Sequence, residues 1–180
     1  TLIRSDEPAL VIECLNGYRL KEQEPSNYGD FTNPIGIPEI VKDGEDITVV
    51  SYGSTFNLCV EASNELDKLN ISCELIDIQT LIPFDLNKVI VKSLSKTNKV
   101  IFIDEDVPGG ATAYMMDQVI NKQKGYFHLD SQPVTLTAKD HRPAYGTDGD
   151  YFSKPSINDI IESIYSIMSE NNPSKYPSIY

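Results

Sequence analysis

Between Gly44 and Asp104 short apolar runs alternate with amphipathic ones, and no other feature constrains the fold of this chain as strongly. Ile47-Thr-Val-Val-Ser51, Cys73-Glu-Leu-Ile-Asp-Ile78 and Val100-Ile-Phe-Ile103 read as strands that are apolar almost throughout. Near-continuous apolar strands separated by helices belong to parallel sheets covered on both faces, because each crossover lays a helix over the sheet. The expected class is α/β: three layers, α/β/α, around a mostly parallel sheet of about five strands.

The helices are legible from spacing. Phe56, Cys59, Ala62, Leu66 and Leu69 recur at intervals of three and four and share one face, with Ser54 as the expected N-cap. A second helix is expected after Pro83-Phe84, with Asp85 accepting from an orphan backbone donor and Leu86, Val89, Ile90 and Leu94 forming the buried stripe. A third follows Gly109-Gly110 and carries Met115, Met116, Val119 and Ile120, and Pro133-Val-Thr-Leu-Thr137 alternates as a further strand. The last helix is the clearest, because Ser156 and Asp159 form a capping pair ahead of Ile157, Ile160, Ile161, Ile164 and Met168. That stripe must dock on the sheet.

Outside this body the signals are weaker. Residues 8–14 read as a short strand, and Gly17, Pro25, Gly29, Pro34, Gly36 and Pro38 then break any regular element, as expected of an interdomain connection. The tail from Asn171 to Tyr180, with Pro173 and Pro177, reads as extended. The 180 residues suit one domain of about 100 to 200, and a start at Thr1 points to a piece of a longer chain.

A net charge of −12 argues against nucleic-acid or anionic-membrane binding, since both need a basic surface, and favours a basic partner. No apolar run approaches the roughly 18 to 20 residues that span a bilayer. Cys14, Cys59 and Cys73 have no CxxC spacing, and two fall at apolar positions of expected elements, which reads as reduced thiols in a cytoplasmic protein.

Candidate chemistry is sparse. Gly109-Gly110 follows a strand and opens a helix, but neither G-x-G-x-x-G nor Gly-Lys-Ser/Thr is present, so a tight turn is the expected role. Asp104, Glu105 and Asp106 cluster where open α/β sheets place ligands, yet no second acidic group is fixed to meet them, and a solvated or interface role is expected. His128 and His141 have no metal-ligand spacing, and no serine or cysteine triad order is visible.

The ordered string Ile47-Thr-Val-Val-Ser-Tyr-Gly53, Glu61-Ala62, Cys73 through Leu81-Ile-Pro-Phe-Asp85, and Ser93-Leu-Ser-Lys-Thr97 resembles the C-terminal domain of the beta subunit of 2-oxo acid dehydrogenases. Those are thiamine diphosphate-dependent decarboxylating components with a transketolase-like architecture. The resemblance extends to Ser5 through Glu13, which looks like the last strand of a preceding pyrimidine-binding domain, and to Asp104-Glu105, Gly109-Gly110 and Asp140-His-Arg-Pro-Ala-Tyr145. The segment Thr147 to Pro155 is longer than the family pattern, which leaves the role of the loop from His141 to Lys154 open.

The resemblance implies that residues 1–38 are the end of the upstream domain and a linker, 39–170 a transketolase C-terminal-like domain, and 171–180 a tail. It implies a parent that decarboxylates a pyruvate or branched-chain 2-oxo acid and transfers the acyl group to lipoate, with thiamine diphosphate and Mg2+ bound by upstream domains and a partner subunit. Catalytic, cofactor-binding and metal residues are accordingly expected to be none in this chain. Its expected part is homodimerisation, contact with an alpha-type subunit or domain, and docking of the lipoyl acyltransferase core. Glu105, Gly109, Gly110, His141 and Tyr145 are the interface or docking candidates, and Glu13 and Asn16 the residues nearest a substrate entrance. The alternatives are another transketolase-like enzyme, such as transketolase or deoxyxylulose phosphate synthase, and a non-enzymatic α/β assembly module.

Overall fold

The computed structural model describes residues 1–21, 23, 24, 26, 27, 29, 31–142 and 145–178, with backbone only for Asn16, Thr147, Asp148 and Asp150. Strands β1 (Glu39–Lys42), β2 (Ile47–Ser51), β3 (Cys73–Asp77), β4 (Val100–Ile103) and β5 (Val134–Leu136) form one sheet in the order β1-β3-β2-β4-β5. All pairings are parallel except that of β1 with β3. The expected class is therefore the observed one.

Alternation along the strands explains the layers. Ile47, Val49, Ile101 and Ile103 face the cluster that holds α1 (Gly53–Asp67) and α5 (Ile157–Asn171). Val50, Ile76, Val100 and Phe102 point to the opposite cluster, with α2 (Val89–Thr97) and α3 (Ala111–Met116). Both faces are covered, which is why the strands read as continuous apolar runs. The helix α3 runs on as a π-helical stretch over Asp117–Lys122, keeping Met115 and Val119 in the core.

Several local expectations are corrected. Residues 8–14 pair with no strand and are exposed, and the sheet is built without them. The edge strand β1, just past Pro38, falls in no expected element, since with three of its four residues exposed it carries no alternation to betray it. Ser54 is not the cap of α1; Gly53, at φ +61°, lets the chain enter the helix two residues earlier, and Tyr52 holds the N-cap position without a side-chain bond. The second helix begins only at Val89, so Leu86 is exposed, although Asp85 still accepts from Val89 N–H (2.7 Å) and Ile90 N–H (3.1 Å).

The capping box of α5 forms as expected: Ser156 Oγ accepts from Asp159 N–H, and the Asp159 carboxylate accepts from Ser156 N–H at 2.8 Å. Its stripe packs Ile160, Ile164, Ile167 and Met168 against α1 and the sheet, while Ile157 and Ile161 lie at the margin. The tail is not extended. It turns back so that Tyr176 is buried and donates to the Asn70 carbonyl at 3.0 Å, an aromatic ring gaining more from the core than from water; Ile179 and Tyr180 lie outside the described residues. A short helix α4 (Thr147–Ser153) occupies the segment that exceeds the family pattern.

Candidate functional site

In this topology the chain leaves β2 to one side for β3, then returns across β2 to reach β4, so the winding reverses between β2 and β4. The carboxyl ends of these strands open on the place where doubly wound sheets bind ligands. Here that edge carries Tyr52 and Gly53 after β2, Asp104 to Gly110 after β4, and Thr137 to Lys139 after β5.

Asp104 is buried and its oxygens are engaged. Oδ1 accepts from Asp106 N–H (3.1 Å), and Oδ2 accepts from Thr112 N–H (3.1 Å) and from the Tyr52 hydroxyl (3.4 Å). Burial pushes this carboxyl above the usual range, against the pull of those donors. Burial and the adjacent acids, Asp104 first, also push the Tyr52 hydroxyl up. The group ties the turn after β2 to the start of α3. It is a structural acid.

The turn itself explains both glycines. Gly109 adopts φ +90°, and a Cβ on Gly110 would overlap the Asp106 carboxylate. Glu105 points outward and pairs with Lys154 at 3.0 Å. His141 and Tyr145 are exposed; Arg142 donates to the Tyr145 hydroxyl at 2.8 Å, and the His141 ring lies 5.7 Å from that of Phe152. Pro143 and Ala144, between them, lie outside the described residues. Glu13 is exposed, and its neighbour Cys14 approaches Gly53. The Asn16 side chain lies outside the described residues.

Glu105, Gly109 and Gly110 lie past the carboxyl end of β4, Glu105 and His141 both meet the segment around α4, and Tyr145 contacts Arg142. Sequence reasoning missed that segment's contribution. Lys139 Nζ sits 3.6 Å from the Phe152 ring centre, Lys139 N–H donates to the Ser153 carbonyl at 2.9 Å, and Tyr151 and Phe152 are 69% and 63% exposed. Adjacent aromatics in an otherwise polar stretch were the available signal. Beside them lies a groove of about 370 Å3 between the end of β5 and the first turns of α5.

Cys59 and Cys73 are buried free thiols, and burial pushes both up to about 12, which suits inert core residues; Cys14 is exposed. Among the described residues no group of three His, Cys, Asp or Glu side chains is placed to hold a metal ion, and no helix is long and apolar enough to cross a membrane. A diphosphate held through magnesium needs free carboxylate oxygens. At this edge the Asp104 oxygens are taken by backbone and phenol donors, and one Glu105 oxygen pairs with Lys154.

Residues 36–153 match the model of the transketolase C-terminal domain family. The chain is 32% identical over 139 residues to the 2-oxoisovalerate dehydrogenase subunit beta of Bacillus subtilis (strain 168), covering 77% of this chain and 41% of that one. It is 30% identical over 167 residues to the pyruvate dehydrogenase E1 component subunit beta of Mesostigma viride, covering 93% and 50%. Among solved structures it superposes on a split-gene transketolase described as an inactive beta4 tetramer, with a TM-score of 0.64 at 20% identity over 81% of this chain and 46% of that one, a likeness of fold alone. The chain spans half or less of the length of the curated relatives named here.

Proposed function

This chain belongs to the family of transketolase C-terminal domains, and on that premise we propose that it is the C-terminal association domain of a 2-oxo acid dehydrogenase of the beta-subunit type. The observation that carries the proposal is the similarity to beta subunits of 2-oxoisovalerate and pyruvate dehydrogenases over 77% and 93% of the chain. In this reading the parent enzyme, in the cytoplasm, decarboxylates a 2-oxo acid and passes the acyl group to lipoate. Thiamine diphosphate supplies the carbanion chemistry, and the protein supplies binding, orientation and electrostatics.

Residues 39–170 are the domain, 1–38 the end of an upstream domain with its linker, and 171–180 a tail. The domain holds subunits together: it self-associates as a dimer, contacts an alpha-type subunit or domain, and docks the lipoyl acyltransferase core. Surface chemistry supports this. A charge of −12 favours a basic docking partner through complementary fields. Glu105, Gly109, Gly110, His141 and Tyr145 lie on the interface side, and Glu13 and Asn16 nearest the substrate entrance.

Calorimetric titration of this chain with thiamine diphosphate and magnesium tests where the chemistry resides. No heat of binding is expected. Micromolar binding would place a cofactor site on these residues and overturn the association role.

A further inference from the structure

Charge is unevenly spread over this chain. Residues 86–99 and 118–129 hold six of its 15 basic side chains, Lys88, Lys92, Lys96, Lys99, Lys122 and Lys124, and none of its 27 acidic ones. Two of the six are paired, Lys96 with Glu74 and Lys99 with Asp130 at 3.0 Å. Lys88, Lys92, Lys122 and Lys124 are exposed, and among the described residues none of them has a carboxylate at ion-pair distance. In a molecule of charge −12 these four cations form a local inversion of sign.

Folding brings the two segments together. Lys88 N–H (3.0 Å) and Gln123 Nε2 (3.3 Å) donate to one acceptor, the Asp85 carbonyl, so Lys122 and Lys124, on either side of Gln123, stand at the end of α2 that Lys88 caps. Lys92 follows one turn along the exposed side of α2, away from Ile90 and Leu94 in the core. The 3-10 turn Gly125–His128 packs against the same helix. There Asn98 Nδ2 donates to the His128 carbonyl at 2.7 Å, and a Cβ on Gly125 would come within 3.2 Å of Leu94 Cδ1. This turn carries Tyr126 and Phe127, both exposed, with ring centres 4.2 Å apart. The result is a basic surface with an aromatic knob beside it.

We infer that this face binds a short acidic segment of a partner protein, whose carboxylates meet Lys88, Lys92, Lys122 and Lys124 and whose apolar side chain packs on Tyr126 and Phe127. The inference stands apart from the association role, because it rests on charge placement in this chain alone. At physiological salt fields fade over about 8 Å, so an incoming segment senses the four cations rather than the net charge of the molecule. Charge brings the segment in, and the aromatic pair supplies the area that concentrates binding energy. Single-stranded nucleic acid is the other polyanion that uses basic and aromatic side chains together. A long phosphate chain, however, runs past the patch onto acidic surface and is repelled there, whereas a short acidic segment ends within it.

The test is fluorescence anisotropy on the full chain with three labelled probes: a short peptide of Asp and Glu around one Phe, the same peptide with Ala for that Phe, and a thymidine oligonucleotide. Saturable binding of the Phe peptide is expected, weakening as salt is added. The double reversals Lys88→Glu with Lys92→Glu and Lys122→Glu with Lys124→Glu are each expected to weaken it about tenfold or more, since they set like charges face to face. Lys21→Glu with Lys68→Glu makes the same change in net charge outside the patch and is expected to leave binding within about twofold. Phe127→Ser is expected to abolish the preference for the Phe peptide over the Ala one. Circular dichroism first shows that each variant melts like the parent. No binding of the Phe peptide, an equal loss in the Lys21 and Lys68 variant, or a Phe preference that survives Phe127→Ser overturns the proposal. Tighter binding of the oligonucleotide through the same lysines also overturns it, and would mark a nucleic-acid surface instead.

Discussion

Glu74 is a charge placed where the sequence pattern demands an apolar side chain. It is buried in β3, on the face packed by α2, and its carboxylate accepts from Gly44 N–H (3.3 Å) and from the Lys96 ammonium. Burial pushes this carboxyl up, but the hydrogen bonds from Lys96, Ser93 and Gly44 outweigh it and leave it below the usual range. A depressed folded value means that its stabilising contribution is present above the unfolded value of about 4.3 and is lost as pH falls through the folded one. Replacing Lys96 with Ala should therefore cost about 1–3 kcal/mol at pH 7, discounted from a sealed pair because the Lys96 side chain is 34% exposed. Denaturant melts across pH check the sign: the deficit should shrink below about pH 4, where protonation relieves the unpaired charge. A deficit that is constant with pH would contradict this account. Asp85 was readable from sequence as a cap, whereas the Glu74 and Lys96 partnership was not, since it joins β3 to α2 and local spacing carries no trace of such pairing.

At the scale of elements, periodicity revealed what is buried on one side or two. Strands β2, β3 and β4 and the helix α5 are legible because their apolar positions are numerous and regular, and α5 also announces its start through Ser156 and Asp159. The exposed edge strand β1 and the short α4 escape, because neither buries a periodic face. Within α5 the depth of each isoleucine depends on the shape of α1 beneath it. Ile164, at 1% exposure, faces the core squarely, and Ile161 sits at its rim. Ile164→Asp should consequently cost several kcal/mol more than Ile161→Asp, since it forces a charge into a dry site and removes about 1.5 to 3 kcal/mol of burial. Thermal melts of the two variants check the ranking; equal losses would show that α5 is not docked as described.

For the whole molecule, a sheet whose winding reverses between β2 and β4 presents its carboxyl edge as a single surface, and the chain has filled that edge with turns and structural acids. Gly109 and Gly110 shape the turn, Asp104 fastens it, and Glu105 reaches out to Lys154. The candidate interface was partly legible: His141, Tyr145 and Glu105 were singled out from the resemblance, but the groove beside α5 is assembled from β5, α4 and α5 and exists only after folding. The proposed role of this chain is that of the association domain of a 2-oxo acid dehydrogenase. Its most direct test is decarboxylation by the intact gene product, supplied with thiamine diphosphate and magnesium and offered pyruvate and branched-chain 2-oxo acids in turn. Release of carbon dioxide from at least one of these acids, abolished when thiamine diphosphate is withheld, is expected; no release from any of them would overturn the proposed role.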